Sequence, residues 1–306
     1  MAEHPNRTPL TILDLVPISS GSDASQALYD SIELARYAED LGYARYWFAE
    51  HHLDPGVAGT SPAVVIALIA ASTHRIRLGA GAVQLGHRTA LSTVEEFGLI
   101  DALHPGRIDL GLGRTPPAED DTIISTLLQL PGAHPQDHVE QVGDLLALLR
   151  GTYRSEKGVE AHVVPGERAQ VEPWILGSGG GENARTAGAH GLRFAATHHL
   201  SPSTVVAAVE DYRAAFEPAA DAYGVTAPYV GVSADVLVAE DEATARDLVA
   251  GRPHIQFVGT AKQVADRLEI LREATGADEL IVTTVTHDHG DRIRSFELLA
   301  EEWETR

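Results

Sequence analysis

A short apolar strand followed by an amphipathic helix recurs along this whole chain, and no linker, low-complexity run or shift of composition interrupts the rhythm. Such repetition constrains the fold more than any single residue does. Strand-helix alternation builds a parallel sheet whose faces are covered by helices, and its strands read as nearly continuous apolar runs. At 306 residues the chain has the length of one large β/α barrel, and eight units predict a single (β/α)8 TIM barrel domain over residues 1–306. A doubly wound sheet with an appended domain is the alternative, and it needs a break that the sequence lacks.

The predicted strands are 10–16, 43–49, 76–85, 107–113, 173–176, 192–196, 229–238 and 280–285. Helices are expected over 24–41, 62–73, 91–103, 138–149, up to 189, 202–223, 241–249 and 260–275, with a last one carrying Ile293, Phe296, Leu299 and Trp303 on one face. Ser61-Pro62 and Ser201-Pro202 read as cap and first-turn proline, and Thr260 with Gln263 as a capping box. Two irregular stretches, 115–137 after the fourth strand and 151–168 before the fifth, read as insertions. Gly79-Ala80-Gly81-Ala82 interrupts the third strand with small residues, so a ligand or another backbone can come close. The helix Pro62 to Ala71 has almost no polar face, which predicts a second partner and hence a subunit interface.

A closed ring would gather the carboxyl ends of its strands at one mouth, where barrels build their sites. Glu50, His51, His52, Gln84, Arg114, Ser178, His198, His199, His287, Asp288 and His289 all fall there. The run Tyr46-Trp47-Phe48-Ala49 delivering Glu50-His51-His52 is the densest of these strand ends. No cysteine is present, which removes thiolate metal sites, disulfides and cysteine nucleophiles. Forty-four acidic against 23 basic residues give a net charge of −21, which repels nucleic acid and anionic lipid. No apolar run is long enough to span a membrane and the N-terminus lacks a signal peptide's apolar core, so a cytoplasmic location is expected. The imidazole-rich mouth leaves a metal-dependent hydrolase open as a second reading.

Gly177-Ser178-Gly179-Gly180-Gly181 lies between a strand and a helix start, where bare N–H groups and the Ser178 hydroxyl can surround a phosphate. It carries neither the Lys-Ser/Thr of a nucleotide P-loop nor the dinucleotide glycine spacing. In so acidic a chain, Arg114 at a strand's carboxyl end offers bidentate binding to the same phosphate.

With these residues in view, the chain resembles the bacterial luciferase-like flavin-dependent monooxygenases over essentially its full length. The carriers are Trp47 to His52, Gly79 to Val83, Leu103 to Arg114, Trp174 to Ser178 and Val258-Gly259-Thr260, in family order. The resemblance implies that His51 is the catalytic histidine, acting as acid/base or hydrogen-bond donor. It places a non-proline cis peptide at Gly81-Ala82 behind a flavin ring. It also implies flavin-phosphate ligands at Arg114 and Ser178, with Gly177 and Gly179 in the same loop, and His198 beside the isoalloxazine where luciferase has an aromatic residue. The sequence departs from luciferase at Gly113, which replaces a flavin-proximal cysteine, and at Gly177 and Gly181. The mobile loop before the seventh helix is shortened to about 241–258, so light emission is not implied.

The resemblance leads us to expect a two-component monooxygenase that uses reduced FMN from a separate flavin reductase, with oxygen and a small organic substrate such as an aldehyde. A homodimer through helices 62–73 and 91–103 goes with it. The alternatives are a deazaflavin-dependent oxidoreductase on the same barrel and a non-catalytic flavin-binding relative.

Overall fold

The computed structural model describes residues 7–114, 137–179, 181–250 and 255–306. Most of the predicted insertion at 115–137 lies outside them. Ten strands are present among the described residues: β1 (Leu10–Asp14), β2 (Arg45–Phe48), β3 (Arg77–Ala80), β4 (Val83–Gln84), β5 (Ile108–Gly113), β6 (Glu172–Gly177), β7 (Arg193–Ala196), β8 (Val230–Ala239), β9 (Phe257–Thr260) and β10 (Glu279–Thr283). Pairing runs β10-β1-β2-β3-β5-β6-β7-β8, and β10 also pairs with β8, so eight strands close into a parallel ring. The (β/α)8 barrel expected from the repetition is therefore the fold.

Around the ring lie α1 (Ala24–Asp40), α2 (Pro62–Ala70), α3 (Ala90–Leu103), α4 (His138–Arg150), α5 (Glu182–Ala189), α6 (Val205–Ala214), α7 (Glu242–Leu248), α8 (Ala261–Thr275) and α9 (His289–Glu304). Alternation along each strand divides the apolar side chains into two sets. Tyr46, Phe48, Val232 and Val282 point outward and join the core beneath the helices, while Leu13, Trp47, Trp174, Ala195 and Ile281 fill the ring itself. Trp47 and Trp174 meet edge to face at 4.9 Å, and the glycines of β3 and β5 make room for them. A Cβ on Gly79 would stand 2.7 Å from the Trp47 ring, and one on Gly111 would collide with the Ala80 carbonyl oxygen. Close approach is thus what the small residues serve, as the sequence suggested, although a tryptophan and a neighbouring strand are what approach.

Several predicted elements shift. The third strand splits at Gly81-Ala82 into β3 and β4. The helix expected to reach Tyr223 stops at Ala214, four residues short of Pro218, whose ring disfavours helical backbone in the residue before it. Ser61 makes no side-chain cap, although Pro62 does start α2. Ser201-Pro202 opens a 3-10 turn rather than the helix itself. β9 had no predicted counterpart; it pairs with the outer half of β8, beyond the ring. The capping box of Thr260 and Gln263 is formed as the spacing predicts, and residues 151–168 carry no helix and only an isolated bridge.

Beneath the tryptophans, at the amino end of the strands, the ring is closed by charge. Arg45 donates to Asp109 at 2.8 Å, to Glu172 at 2.9 Å and to Glu279 at 3.1 Å. Asp109 also accepts from Trp47 and Arg77, and Glu279 from Tyr229 and Thr11. Arg193 approaches Glu172 at 3.6 Å. Burial alone would raise the Asp109 carboxyl, but Arg45 and Arg77 override it and hold it below the ordinary range.

Candidate active site

At the opposite, carboxyl end the strand-end residues separate into those built into the scaffold and those left available. Glu50 belongs to the first group. Its buried carboxylate accepts from the Gln84 N–H at 2.9 Å, pairs with His52 at 2.8 Å and meets Arg88 at 3.3 Å, while the Gln84 amide returns to the Glu50 carbonyl. Asp288 caps α9 through the N–H of Asp291, and His289 faces Glu33 on α1 at 3.2 Å. His287 is exposed at the rim, in a cleft of about 690 Å³ bounded by the β1–α1 turn. None of Glu50, His52, Gln84, Asp288 or His289 is therefore a free group of the mouth, although all follow carboxyl ends of strands. Among the described residues no three His, Asp or Glu side chains stand close enough to hold a metal ion.

His51, His198 and His199 remain. The backbone of His51 is fixed by a bond from its N–H to the Gly59 carbonyl, yet its Nδ1 is buried with no partner. Burial pushes this imidazole below its ordinary value, and neighbouring His52 adds to the effect while Asp54 and Glu50 oppose it, so the ring is neutral at pH 7. His198 stacks on Phe257 with centroids 5.9 Å apart and keeps its Nδ1 unpartnered. His199 bonds Ser233 at 2.5 Å, and burial, then the imidazoles of His198 and His51, hold it down at about 4. His51 follows β2 and His198 and His199 follow β7, so histidines from opposite sides of the ring meet at one mouth.

A second cluster forms over β5 and β6. Arg114, just past β5, pairs with Glu182 in the first turn of α5 at 2.6 Å. The Gly177–Gly181 loop leads directly into that turn. Ser178 is exposed, and nothing stands within 4 Å of where a Cβ on Gly179 would be. His138 at the start of α4 is buried with an unpartnered Nε2, and after burial itself it is Arg114 that most lowers this imidazole. Arg114, the glycine loop and the helix start are thus brought together as the sequence predicts. His138 is an addition that a lone histidine at a helix start did not reveal. Between the two clusters, the Gly81-Ala82 peptide is cis, and Ala82 packs next to Gly113.

Comparison with known proteins identifies the family. Residues 8–300 match the family described as luciferase-like monooxygenase. The chain belongs to the luciferase-like monooxygenase family. It is 32% identical to a luciferase-like monooxygenase of Escherichia coli strain K12, covering 94% of this chain and 95% of that protein. Apo-MsnO8 superposes with a TM-score of 0.86 at 31% identity, covering 98% of this chain and 99% of that one. The oxygenating constituent of 3,6-diketocamphane monooxygenase from Pseudomonas putida, a type II Baeyer-Villiger monooxygenase solved with FMN, shares the fold with a TM-score of 0.75 at 18% identity over 96% of this chain and 97% of that one.

Within this luciferase-like barrel, the mouth also carries polar groups that the sequence alone does not single out. Thr197 and Thr283 each keep a buried hydroxyl without a partner. Asp235, on β8, is partly buried, and burial alone pushes its carboxyl up to about 6. The signal was present in the alternation of Ser233 and Asp235 with Val232, Ala234 and Val236, but polar residues inside an apolar strand attract notice only when the direction of the strand's faces is known. No helix among the described residues is long and apolar enough to cross a membrane.

Proposed function

We propose that this protein is an FMN-dependent monooxygenase of the two-component kind, taking reduced flavin from a separate reductase and using oxygen on a small organic substrate such as an aldehyde. One observation carries the reading: the same end of the ring holds a guanidinium at a glycine-loop helix start and, two strands away, a neutral imidazole with an unpartnered nitrogen. The residues fit the cofactor. Arg114 is half-exposed and, among the described residues, pairs with the partly exposed Glu182, so a phosphate can replace that carboxylate as its partner. The open backbone of Gly179, the Ser178 hydroxyl and the first N–H groups of α5 add donors for an anion, above Gly177, which is buried as the last residue of β6.

Arg114, Ser178 and the glycine loop would hold the phosphate end, Gly81-Ala82 would back the ring, and His198 would flank it. FMN, when bound, supplies the redox chemistry with oxygen that no side chain of this cysteine-free chain provides. His51 donates or accepts a proton at its ring nitrogen, which burial keeps neutral and therefore able to do either. The tryptophan layer beneath closes the floor of the mouth. The reading also includes a homodimer through α2 and α3, on which Val64, Leu68, Leu91, Leu99 and Leu103 are exposed apolar residues; sedimentation of a monomer would remove that part of it.

Titration of wild type and Arg114→Ala with FMN and with riboflavin tests the central claim. A charge-assisted contact to phosphate is worth about 1.5–3 kcal/mol, so FMN should weaken by roughly 10- to 100-fold while riboflavin is unaffected. Equal weakening of the two would refute the phosphate role of Arg114. Absence of any flavin binding to the wild type would refute the assigned cofactor.

A further inference from the structure

The cofactor residues occupy one arc of the mouth, over β3, β5 and β6, and the histidine-bearing β2 and β7 flank it on either side. The remaining arc is β8, β10 and β1. Its central feature is Asp235. A Cβ on Gly231 would approach Trp174 and Ile281 inside the ring, and Ser233 bonds His199 at the mouth. Asp235, two residues further along the same strand, shares that inward face. It is the last residue of β8 in register with β10, directly opposite Thr283.

On the strands that flank it, two hydroxyl groups are left without partners among the described residues. Thr283 and Thr197 have buried hydroxyls that nothing satisfies. Among the described residues no arginine, lysine or histidine pairs with Asp235, and burial is the sole influence on its carboxyl. This contrasts with Asp109 and Asp14, the fully buried aspartates of the same barrel, each of which is met by a guanidinium. A desolvated carboxylate without a cation is unfavourable unless a ligand supplies one. An aldehyde with a plain alkyl chain offers neither charge nor a hydrogen-bond donor. An ammonium offers a positive charge and three N–H donors, with no acceptor to be left facing the carboxylate.

We propose that Asp235, with the hydroxyl of Thr283 opposite it on β10 and that of Thr197 at the end of β7 on its other side, is the substrate-recognition site of this mouth and selects substrates bearing a protonated amino group. The inference rests on the monooxygenase reading for its meaning as a substrate site, but not for the binding event. It narrows the small organic substrate from an alkyl aldehyde to an amine-bearing molecule.

The test is equilibrium titration of the full-length protein at pH 8, with and without saturating FMN, using hexylamine and 1-hexanol as probes matched in length. Wild type should bind hexylamine at least 10-fold more tightly than hexanol. Asp235→Asn, which keeps the shape and removes the charge, should bring that ratio to about one while hexanol affinity stays within about two-fold. Because a chain this acidic attracts any cation weakly, Asp288→Asn at the outer rim serves as the control and should preserve the preference. Equal binding of the two probes by wild type, or an amine preference that survives Asp235→Asn, overturns the proposal. Loss of the preference in Asp235→Asn in a protein that binds no flavin would uphold the amine site and sink the monooxygenase reading, so the two fail separately.

Discussion

The two ends of the barrel use the same kinds of side chain in opposite ways. At the amino end, Arg45, Arg77 and Arg193 interleave with Asp109, Glu172 and Glu279, and the hydroxyls of Thr11 and Tyr229 complete the set. Every strand of the ring contributes a residue at or next to its start, and the carboxylates are answered by an equal number of guanidiniums. At the carboxyl end, His51, His198, Thr197 and Thr283 keep buried atoms without partners, and Asp235 meets no cation among the described residues. Unsatisfied buried polar groups carry a penalty of about 1–3 kcal/mol each. Apart from one buried nitrogen of Arg193 that finds no partner, the lower layer pairs its charges within the fold, whereas the upper end leaves its polar groups open where ligands have access. Stability is concentrated at one end and binding capacity at the other.

The sharpest way to break this comparison is to remove the guanidinium at the centre of the lower layer. Arg45→Met keeps much of the volume but strands Asp109 and Glu279 without their main partner, and losing one member of a buried pair costs about 3–5 kcal/mol. Urea unfolding should show that loss, with flavin affinity of the remaining folded protein unchanged. A loss below about 1 kcal/mol would mean that Arg77 and Trp47 suffice for Asp109, and the lower layer would no longer be the structural end.

His51→Ala probes the other end and should give the converse. Its Nδ1 makes no bond that the fold depends on, so stability should move by less than about 1 kcal/mol. Turnover with reduced FMN should fall by roughly 100-fold, the ordinary contribution of a positioned acid or base. Unchanged turnover would take His51 out of the chemistry, and a large loss of stability would place it in the scaffold beside Glu50.

How much of the molecule is legible in its sequence differs between the two ends. The ring itself follows from apolar runs and helical spacing, and α1, α3 and the Thr260 box fall within a residue of their predicted places because local periodicity and caps determine them. Arg114 beside the glycine loop is legible for a related reason: both lie at strand ends that closure of the ring must bring together. The lower layer is not. Arg45 and Glu279 are 234 residues apart, and a single charged residue opening an apolar strand looks like the end of a turn until the six such positions are superposed. The histidines and acids of the mouth mislead for the opposite reason. Proximity in sequence suggests that Glu50, His51 and His52 act together, but successive residues at the end of a strand point different ways, and Glu50 turns back onto Gln84 and Arg88 while His51 stays open.

The smallest expected effect is also the most diagnostic of the open end, because it turns on the sign of a pH dependence. Burial holds the Asp235 carboxyl up at about 6, against an ordinary value of about 3.9. Between these values the folded chain carries a proton that the unfolded chain has lost, so this residue's contribution to stability is complete below about pH 4 and disappears as pH rises through 6. His199 runs the other way. Burial, with His198 and His51, holds it at about 4, below an ordinary value of about 6.5, so its contribution is present above that value and disappears as pH falls. Over the interval between, the two offset each other in the wild type. Asp235→Asn removes the acid-side contribution and leaves that of His199, so the stability lost between pH 7 and pH 5 should exceed the wild-type loss by roughly 1 kcal/mol. Urea midpoints at the two pH values measure the difference directly. Parallel slopes for the two proteins would mean that Asp235 titrates like a solvated carboxyl, and the upper end would then hold one fewer unanswered charge than the comparison requires.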